Sequence, residues 1–235
     1  MARAGPPRRP PPGLTIVLAA SADTYVGEGR QNALVITVES LRPELDEAAA
    51  RLISDAFLDD PAFLAIGPDD PKRRWASLLR LNRAALKVAR RWGGPVHAAM
   101  EGDRLLATSV VFDEGRWPPP KRSLLYQLGF VLAGPGPVAR GLPMTQLMEH
   151  RHLKAPHLYL EILAAHPLQQ RRGAGRALLT RLIEEADRRG LPAYLETTKA
   201  ENVPYYRGFG FEVMSDAPLP RDARMWFMQR EPSQP

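Results

Sequence analysis

The apolar positions of the chain follow two periods. From Leu158 to Ala165 every position except Glu161 is apolar or aromatic, the pattern of a strand buried on both faces of a sheet. After a turn at Pro167, the residues Ala174, Leu178, Leu179, Leu182, Ile183 and Ala186 recur at helical spacing. Glu184/Arg188 and Glu185/Arg189 form i,i+4 pairs on the opposite face, and Gly190 and Pro192 end the helix. Upstream, the pattern predicts a strand over Ala33–Val38 and a helix opened by Leu41-Arg42-Pro43-Glu44 and ended by Asp59-Asp60-Pro61. It then predicts an amphipathic helix over Lys72–Arg91, followed by an antiparallel pair, Val96–Met100 and Arg104–Phe112, joined at Glu101-Gly102-Asp103. Helices over Ser123–Leu132 and Pro143–Glu149 lie among loop signals at Trp117–Pro120 and Gly134–Pro137. A strand over Ala193–Thr197, a short helix Asn202–Arg207 entered through an Asn cap, and strands over Phe211–Ser215 and Arg224–Gln229 complete the order. This is a mixed α/β chain without internal repeats.

Composition narrows the class. With 235 residues, 44% hydrophobic and 25% charged, the chain suits one soluble globular domain. Residues 1–31 are Pro- and Arg-rich and are expected to be disordered; 32–230 form the predicted domain and 231–235 a tail. Leu14–Ala22 follows a positive start and ends in Ala-Ser-Ala, as a secretory signal does. Its apolar core is short and its leader Pro-rich, so an upstream extension is the preferred reading. No apolar run is long enough to span a bilayer. The absence of Cys removes disulfides, a thiolate nucleophile and Cys-based zinc sites, and fits a cytoplasmic location.

The formal charge of +6 matters through its location. Lys72, Arg73, Arg74, Arg80, Arg83, Lys87, Arg90 and Arg91 share one segment with no acidic residue. Nucleic-acid or membrane contact would use such a run, but a solvated helix face is the simpler reading.

The strand at Leu158–Ala165 feeds Gln170-Arg171-Arg172-Gly173-Ala174-Gly175-Arg176 at a helix N-terminus. Backbone N–H groups there lack intrahelical partners and favour an anion. Glycines let a phosphate approach the backbone, and Arg171, Arg172 and Arg176 add positive charge. The expected guest is a phosphorylated cofactor; the competing reading is an ordinary turn between strand and helix. A dinucleotide-binding loop is rejected because the third glycine position holds Leu178. Glu161, the one charge in an apolar strand, shares a face with Leu163 and Ala165 by period-2 alternation. It is either a base or a structurally paired carboxylate. Glu196 in the next strand is the second candidate, binding a cationic amine or pairing with Lys199. His150, His152 and His157 lack a carboxylate cluster at metal spacing and are not assigned a metal.

Gln170-Arg171-Arg172-Gly173-Ala174-Gly175 after a strand resembles the first signature of the GNAT family of N-acetyltransferases. Asn202-Val203-Pro204-Tyr205-Tyr206-Arg207-Gly208-Phe209-Gly210-Phe211 resembles its second. His157-Leu158-Tyr159-Leu160 and Leu195-Glu196-Thr197 resemble the branch that includes puromycin-type acetyltransferases. The resemblance implies a mixed, mostly antiparallel twisted sheet flanked by helices, with a splayed central parallel strand pair. It implies acetyl-CoA as cosubstrate, no metal, and direct acetyl transfer to a primary amine of a small molecule. Backbone from Arg171 to Gly175 would hold the pyrophosphate, Leu163, Ala164 and Ala165 would pair with the pantetheine arm, and Asn202 would touch that arm. Tyr206 would sit by the thioester sulfur as general acid; from the residue pattern, Glu161 is the first candidate base, with Glu196 or a water path as the alternatives, and Glu196 and His157 are candidates for contact with the acceptor. The family's usual Gly after Gln170 is Arg171 here, which bears on local loop geometry. The alternative is a non-catalytic acyl-CoA-binding or regulatory module that contacts protein or nucleic acid. A homodimer is left open.

Overall fold

A computed structural model describes residues 14–19, 22–27, 35–92, 94–118, 135–169 and 172–233. Their strands form one sheet in the order β1-β2-β3-β4-β5-β6-β7-β9-β8. These are β1 (Leu14–Ala19), β2 (Ala22–Gly27), β3 (Val35–Ser40), β4 (Val96–Glu101), β5 (Arg104–Phe112), β6 (Leu158–Ala165), β7 (Ala193–Thr197), β8 (Glu212–Pro218) and β9 (Arg224–Arg230). All neighbours are antiparallel except β6 and β7. The helices are α1 (Asp46–Ala56), α2 (Pro61–Ile66), α3 (Pro71–Trp92), α4 (Pro135–Arg151), α5 (Ala174–Arg189) and α6 (Asn202–Arg207). The result is the mixed α/β, mostly antiparallel architecture expected from the sequence.

Several local expectations change. β1 and β2 pair as a hairpin on β3 within the segment expected to be disordered; alternating β-branched residues such as Thr15, Val17, Thr24 and Val26 supply the strand propensity that the Pro-rich leader obscured. Asp59-Asp60-Pro61 does not only end α1: Asp60 caps α2, accepting from the Ala62 backbone N–H at 2.9 Å with Pro61 at the first helical position. α4 begins at Pro135, inside the expected loop, and continues through Pro143, where the helix was expected to start. The helix expected over Ser123–Leu132 lies outside the described residues.

Two faces of the sheet bury different helices. On one, Ile53 of α1, Ile66 of α2 and Leu86 of α3 pack with Phe112, Tyr159 and Tyr194. On the other, Leu178, Leu179 and Leu182 of α5 pack over β3 to β7. β6 is covered on both sides, which is why its sequence is nearly all apolar. Burying a side chain such as Leu179 contributes roughly 1.5–3 kcal/mol.

The cationic run of α3 is partly internal. Arg74 is buried and donates to the Leu58, Pro68 and Asp69 carbonyls. Arg83 makes a two-pronged bond to Glu47 at 2.6 and 2.8 Å, and Arg90 reaches Asp46 and the Leu41 carbonyl. These cations fasten α3 to α1 and to neighbouring loops, so less of the charge is available to an outside anion than the sequence suggests.

His97 of β4 is half-buried under α5. Burial pushes its imidazole down to about 4, with Arg181 adding to the effect and Glu185 opposing it. The folded value lies below the ordinary 6.5, so the unfolded chain binds the proton first as pH falls. Stability is therefore full above pH 6.5 and erodes between there and about 4. Between pH 7 and pH 4.5, denaturant unfolding of wild type should lose on the order of 2 kcal/mol more than His97→Gln; equal losses in the two proteins would contradict this.

Candidate active site

β6 and β7 run together for only three residue pairs, Leu158↔Ala193, Tyr159↔Tyr194 and Leu160↔Leu195. β6 then continues to Ala165 while still paired to β5. The cause lies in the register with β5. Val110 faces Ile162 and Val111 faces Leu160, so two steps of β6 oppose one of β5, and Glu161 is the added residue of a β-bulge. A bulge bends its strand and sharpens the local twist. Beyond it the backbone of Leu163, Ala164 and Ala165 has no strand partner on its β7 side among the described residues. A row of backbone donors and acceptors thus faces a widening gap.

The bulge also corrects the alternation read from the sequence. Before it, Leu158 and Leu160 pack toward α5 and Tyr159 toward α1 and α3; after it, Leu163 and Ala165 pack toward α5 and Ile162 and Ala164 toward the other face. The face of Glu161 cannot be counted from Leu163 because the phase slips at Glu161 itself. Two carboxylates stand where the strands part. Glu161 directly follows the last paired residue of β6, and Glu196 directly follows the last paired residue of β7.

The N-terminus of α5 opens beside this gap. Its cap, Gly173, holds φ at +91° and makes no side-chain cap bond, and its carbonyl accepts the Ala177 N–H at 2.9 Å. The N–H groups of Ala174, Gly175 and Arg176 belong to the first turn and point outward. Arg172 lies 3.3 Å from Glu101 at the end of β4, so its charge is shared. Arg176 lies over the Phe209 ring at 5.6 Å. Gln170 and Arg171 fall outside the described residues. A Cβ on Gly175 would meet only the Tyr205 hydroxyl, at 3.9 Å, which leaves room for an oxyanion and brings the two sequence signatures into contact.

α6 is capped at Glu201, not Asn202, and without a side-chain bond. Asn202 is the first helical residue and donates from Nδ2 to Thr197 Oγ1 at 3.3 Å, which ties α6 to the end of β7. Tyr206 packs with Leu160, Leu179, Leu195 and Phe211 in the core beneath α5. Burial raises its hydroxyl above the ordinary range, with Tyr205 and Asp60 adding to this, so it stays protonated at neutral pH. Asp60, which the sequence marks only as a helix stop, accepts from Thr198 Oγ1 at 2.6 Å as well as from Ala62. Burial raises its carboxyl despite those bonds. It anchors α2 to the chain leaving β7; the Asp-Pro pair at a helix start was the legible signal.

On the opposite face, Glu196 faces His152 and not Lys199: Nδ1 of His152 lies 3.6 Å from Glu196 Oε1, and both side chains are only about a twentieth exposed. His157 Nε2 lies 3.1 Å from His152 Nε2, and His157 Nδ1 lies 2.7 Å from the Ala155 carbonyl. Burial lowers the His157 imidazole. Nothing local in the sequence joined His152 to Glu196, because β6 and α5 separate them along the chain. Among the described residues no group of three metal-ligating side chains converges. Nor is any helix there long and apolar enough to cross a membrane.

A family model described as "Acetyltransferase (GNAT) family" matches residues 127–211, the span that holds β6, the α5 N-terminus, β7 and α6. Solved structures share the fold. One is described as histone acetyltransferase HPA2 and related acetyltransferase from Corynebacterium glutamicum, with 20% identity, a TM-score of 0.62, and 85% of this chain and 98% of that chain covered. Another is the ribosomal-protein-S18-alanine N-acetyltransferase of Escherichia coli, with 16% identity, a TM-score of 0.51, and 85% and 96% covered. A putative acetyltransferase of Salmonella typhimurium, yncA, was solved with its cofactor acetyl-CoA; identity is 19%, the TM-score 0.51, and coverage 85% and 95%.

Gly173 separates backbone strain from space. At φ +91° a side chain is strained even though the atom nearest to an added Cβ, Ile36 Cδ1, would be 4.0 Å away. Gly173→Ala should cost roughly 1–2 kcal/mol and lower Tm by about 2–8 °C in calorimetry. Gly175→Ala, free of positive φ, should leave Tm within about 2 °C, since the strain is absent.

Proposed function

We infer that this chain, whose residues 127–211 match a GNAT-family acetyltransferase model and whose fold is shared by solved acetyltransferases, is an acetyltransferase of that family and transfers the acetyl group of acetyl-CoA directly to the primary amine of a small molecule. The observation that carries the reading is the parting of β6 and β7 immediately beside an uncapped helix N-terminus. An extended, phosphorylated thioester needs both features: a strand edge that can pair with amide groups of its arm, and outward N–H groups for its pyrophosphate. The residues present fit that molecule. Ala174 and Gly175, together with Gly173 and the flanking Gln170, Arg171, Arg172 and Arg176, form the proposed phosphate cradle. Leu163, Ala164 and Ala165 offer the strand edge, and Asn202 is proposed to touch the arm from α6.

The chemistry follows from the groups at the gap. The amine lone pair attacks the thioester carbonyl, a C–N bond forms and the C–S bond breaks. Tyr206, protonated in its buried position, donates its proton to the departing thiolate. Glu161 takes a proton from the attacking nitrogen, and Glu196, with His157 near it, faces the acceptor. Two carboxylates at the mouth suit a cationic amine. The small-molecule assignment draws on the puromycin-type resemblance around His157–Leu160 and Leu195–Thr197, and a cytoplasmic location on the absence of Cys.

Thiol release from acetyl-CoA with a panel of amines tests the reading. Tyr206→Phe should lower kcat about 10²-fold or more while acetyl-CoA affinity is kept. Absence of turnover with every amine, alongside intact acetyl-CoA binding, would favour a non-catalytic acyl-CoA-binding module. Replacing Gly173 and Gly175 together by Val should weaken acetyl-CoA binding at least about tenfold in titration calorimetry, near 1.4 kcal/mol; unchanged affinity would overturn the cofactor site.

A further inference from the structure

The proton balance of the transfer leaves something to explain. A cationic amine, R–NH3+, sheds two protons on becoming an amide. One replaces the proton that Tyr206 gives to the thiolate, by way of Glu161. The other must leave the protein. The gap itself is apolar on the α5 side, where Leu160, Leu195, Leu179 and Tyr206 pack. The polar route lies on the other face.

There the proton positions follow from the bonding. The Ala155 carbonyl can only accept, so the His157 nitrogen 2.7 Å away, Nδ1, carries a hydrogen. Burial keeps His157 neutral, which leaves its Nε2 as a lone pair. His152 Nε2, 3.1 Å from that lone pair, must then carry a hydrogen and donate it. The orientation of His152 is thereby set, and its Nδ1 faces Glu196 Oε1. Both of these atoms are sealed from solvent, and among the described residues neither has a hydrogen-bond partner. If neither held a proton, two lone pairs would face each other in a buried site, which is costly. The His152 ring lies flat on Trp117, with centroids 3.8 Å apart and planes 23° apart, which fixes the plane in which its two nitrogens point. Tyr159 and Tyr194 meet the His152 ring edge-on at 4.7 and 4.9 Å. Among the described residues, the ionisable groups packed on His152 are Glu196 and Tyr194 on β7, Tyr159 on β6 and His157 before it.

We propose that Glu196, His152 and His157 form a proton-exit relay for the acetyl transfer, running from the parting of β6 and β7 to the exposed loop at Ala155. The inference rests on the reading given under Proposed function. An ammonium group held against Glu196 passes one proton to the Glu196–His152 pair, whose facing atoms lie 3.6 Å apart. His152 then hands its Nε2 proton to His157 Nε2. His157 releases its Nδ1 proton at Ala155, which lies in an exposed stretch of chain. Glu196 touches the acceptor in this scheme, and the two histidines act through it as positioning and relay residues. The class of substrate is sharpened accordingly: an amine that arrives as a cation, not a neutral aniline-like nitrogen.

Two measurements test this. In the pH profile of kcat with a cationic alkylamine, His152→Gln and His157→Gln should each lower the plateau by about tenfold or more. Each should also move the controlling ionisation by about one pH unit or more, with KM for acetyl-CoA unchanged. Profiles that superimpose on wild type would overturn the relay. The second measurement needs no turnover. Imidazole ¹⁵N spectra of the acetyl-CoA-free protein should show His157 protonated on Nδ1 and His152 on Nε2, and Glu196→Gln should move the His152 Nδ1 resonance, since that nitrogen faces Glu196. A His157 hydrogen on Nε2, or a His152 Nδ1 resonance indifferent to Glu196→Gln, would overturn the couple. If wild type acetylates no amine yet the spectra behave as expected, the acetyltransferase reading fails and the coupled pair stands.

Discussion

The parting of β6 from β7 governs the rest of this structure. Parallel neighbours normally stay hydrogen-bonded along their length, and separating them leaves backbone groups unsatisfied in the middle of a sheet. Here the separation is built in covalently, by one extra residue in β6 against β5, and is held by packing on both faces. α5 presses Leu178 and Leu179 on one side, and α1 to α3 present Ile53 and Leu86 on the other. Among the described residues, packing on both faces thus covers the sheet where β6 and β7 stop pairing.

The gap divides the chemistry between its faces. The α5 face carries the glycine-bearing helix start, Tyr205 and Tyr206, and offers N–H groups to an anion. The other face carries Glu196, His152 and His157 under Trp117 and two tyrosines, the groups of the proposed relay. Glu161 belongs to the bend between them. On the proposed reading, electrostatics favours this division, since a polyanionic cofactor and a cationic amine are best kept on opposite sides of the reacting bond. Asp60 serves both: it caps α2 on one layer and holds Thr198 as the chain leaves β7.

Much of this was legible along the chain. The double-sided burial of β6, the helical stripe of α5 and the Gly-bearing run between them are local patterns of period and turn chemistry, and the strand and helix sit where they were expected. The two short signatures around Gly173 and Tyr206 could be joined before any fold was known. The hairpin of β1 and β2 was obscured by its Pro-rich leader, and α4 by Pro143 and the glycines ahead of it, because breakers weigh heavily when only neighbours in sequence are counted.

What the sequence determined by itself was therefore the set of elements, the glycine-bearing turn at the start of α5 and the isolation of Glu161 in an apolar strand, all of which depend on residues close in the chain. Tertiary structure alone decided the bulge that slips the phase of β6 at Glu161, the pairing of Glu196 with His152 in place of Lys199, and the capture of Asp60 by Thr198. Each of these is set by register or by contacts across strands and helices, where the energy of a pairing depends on distance in space and not on spacing along the chain.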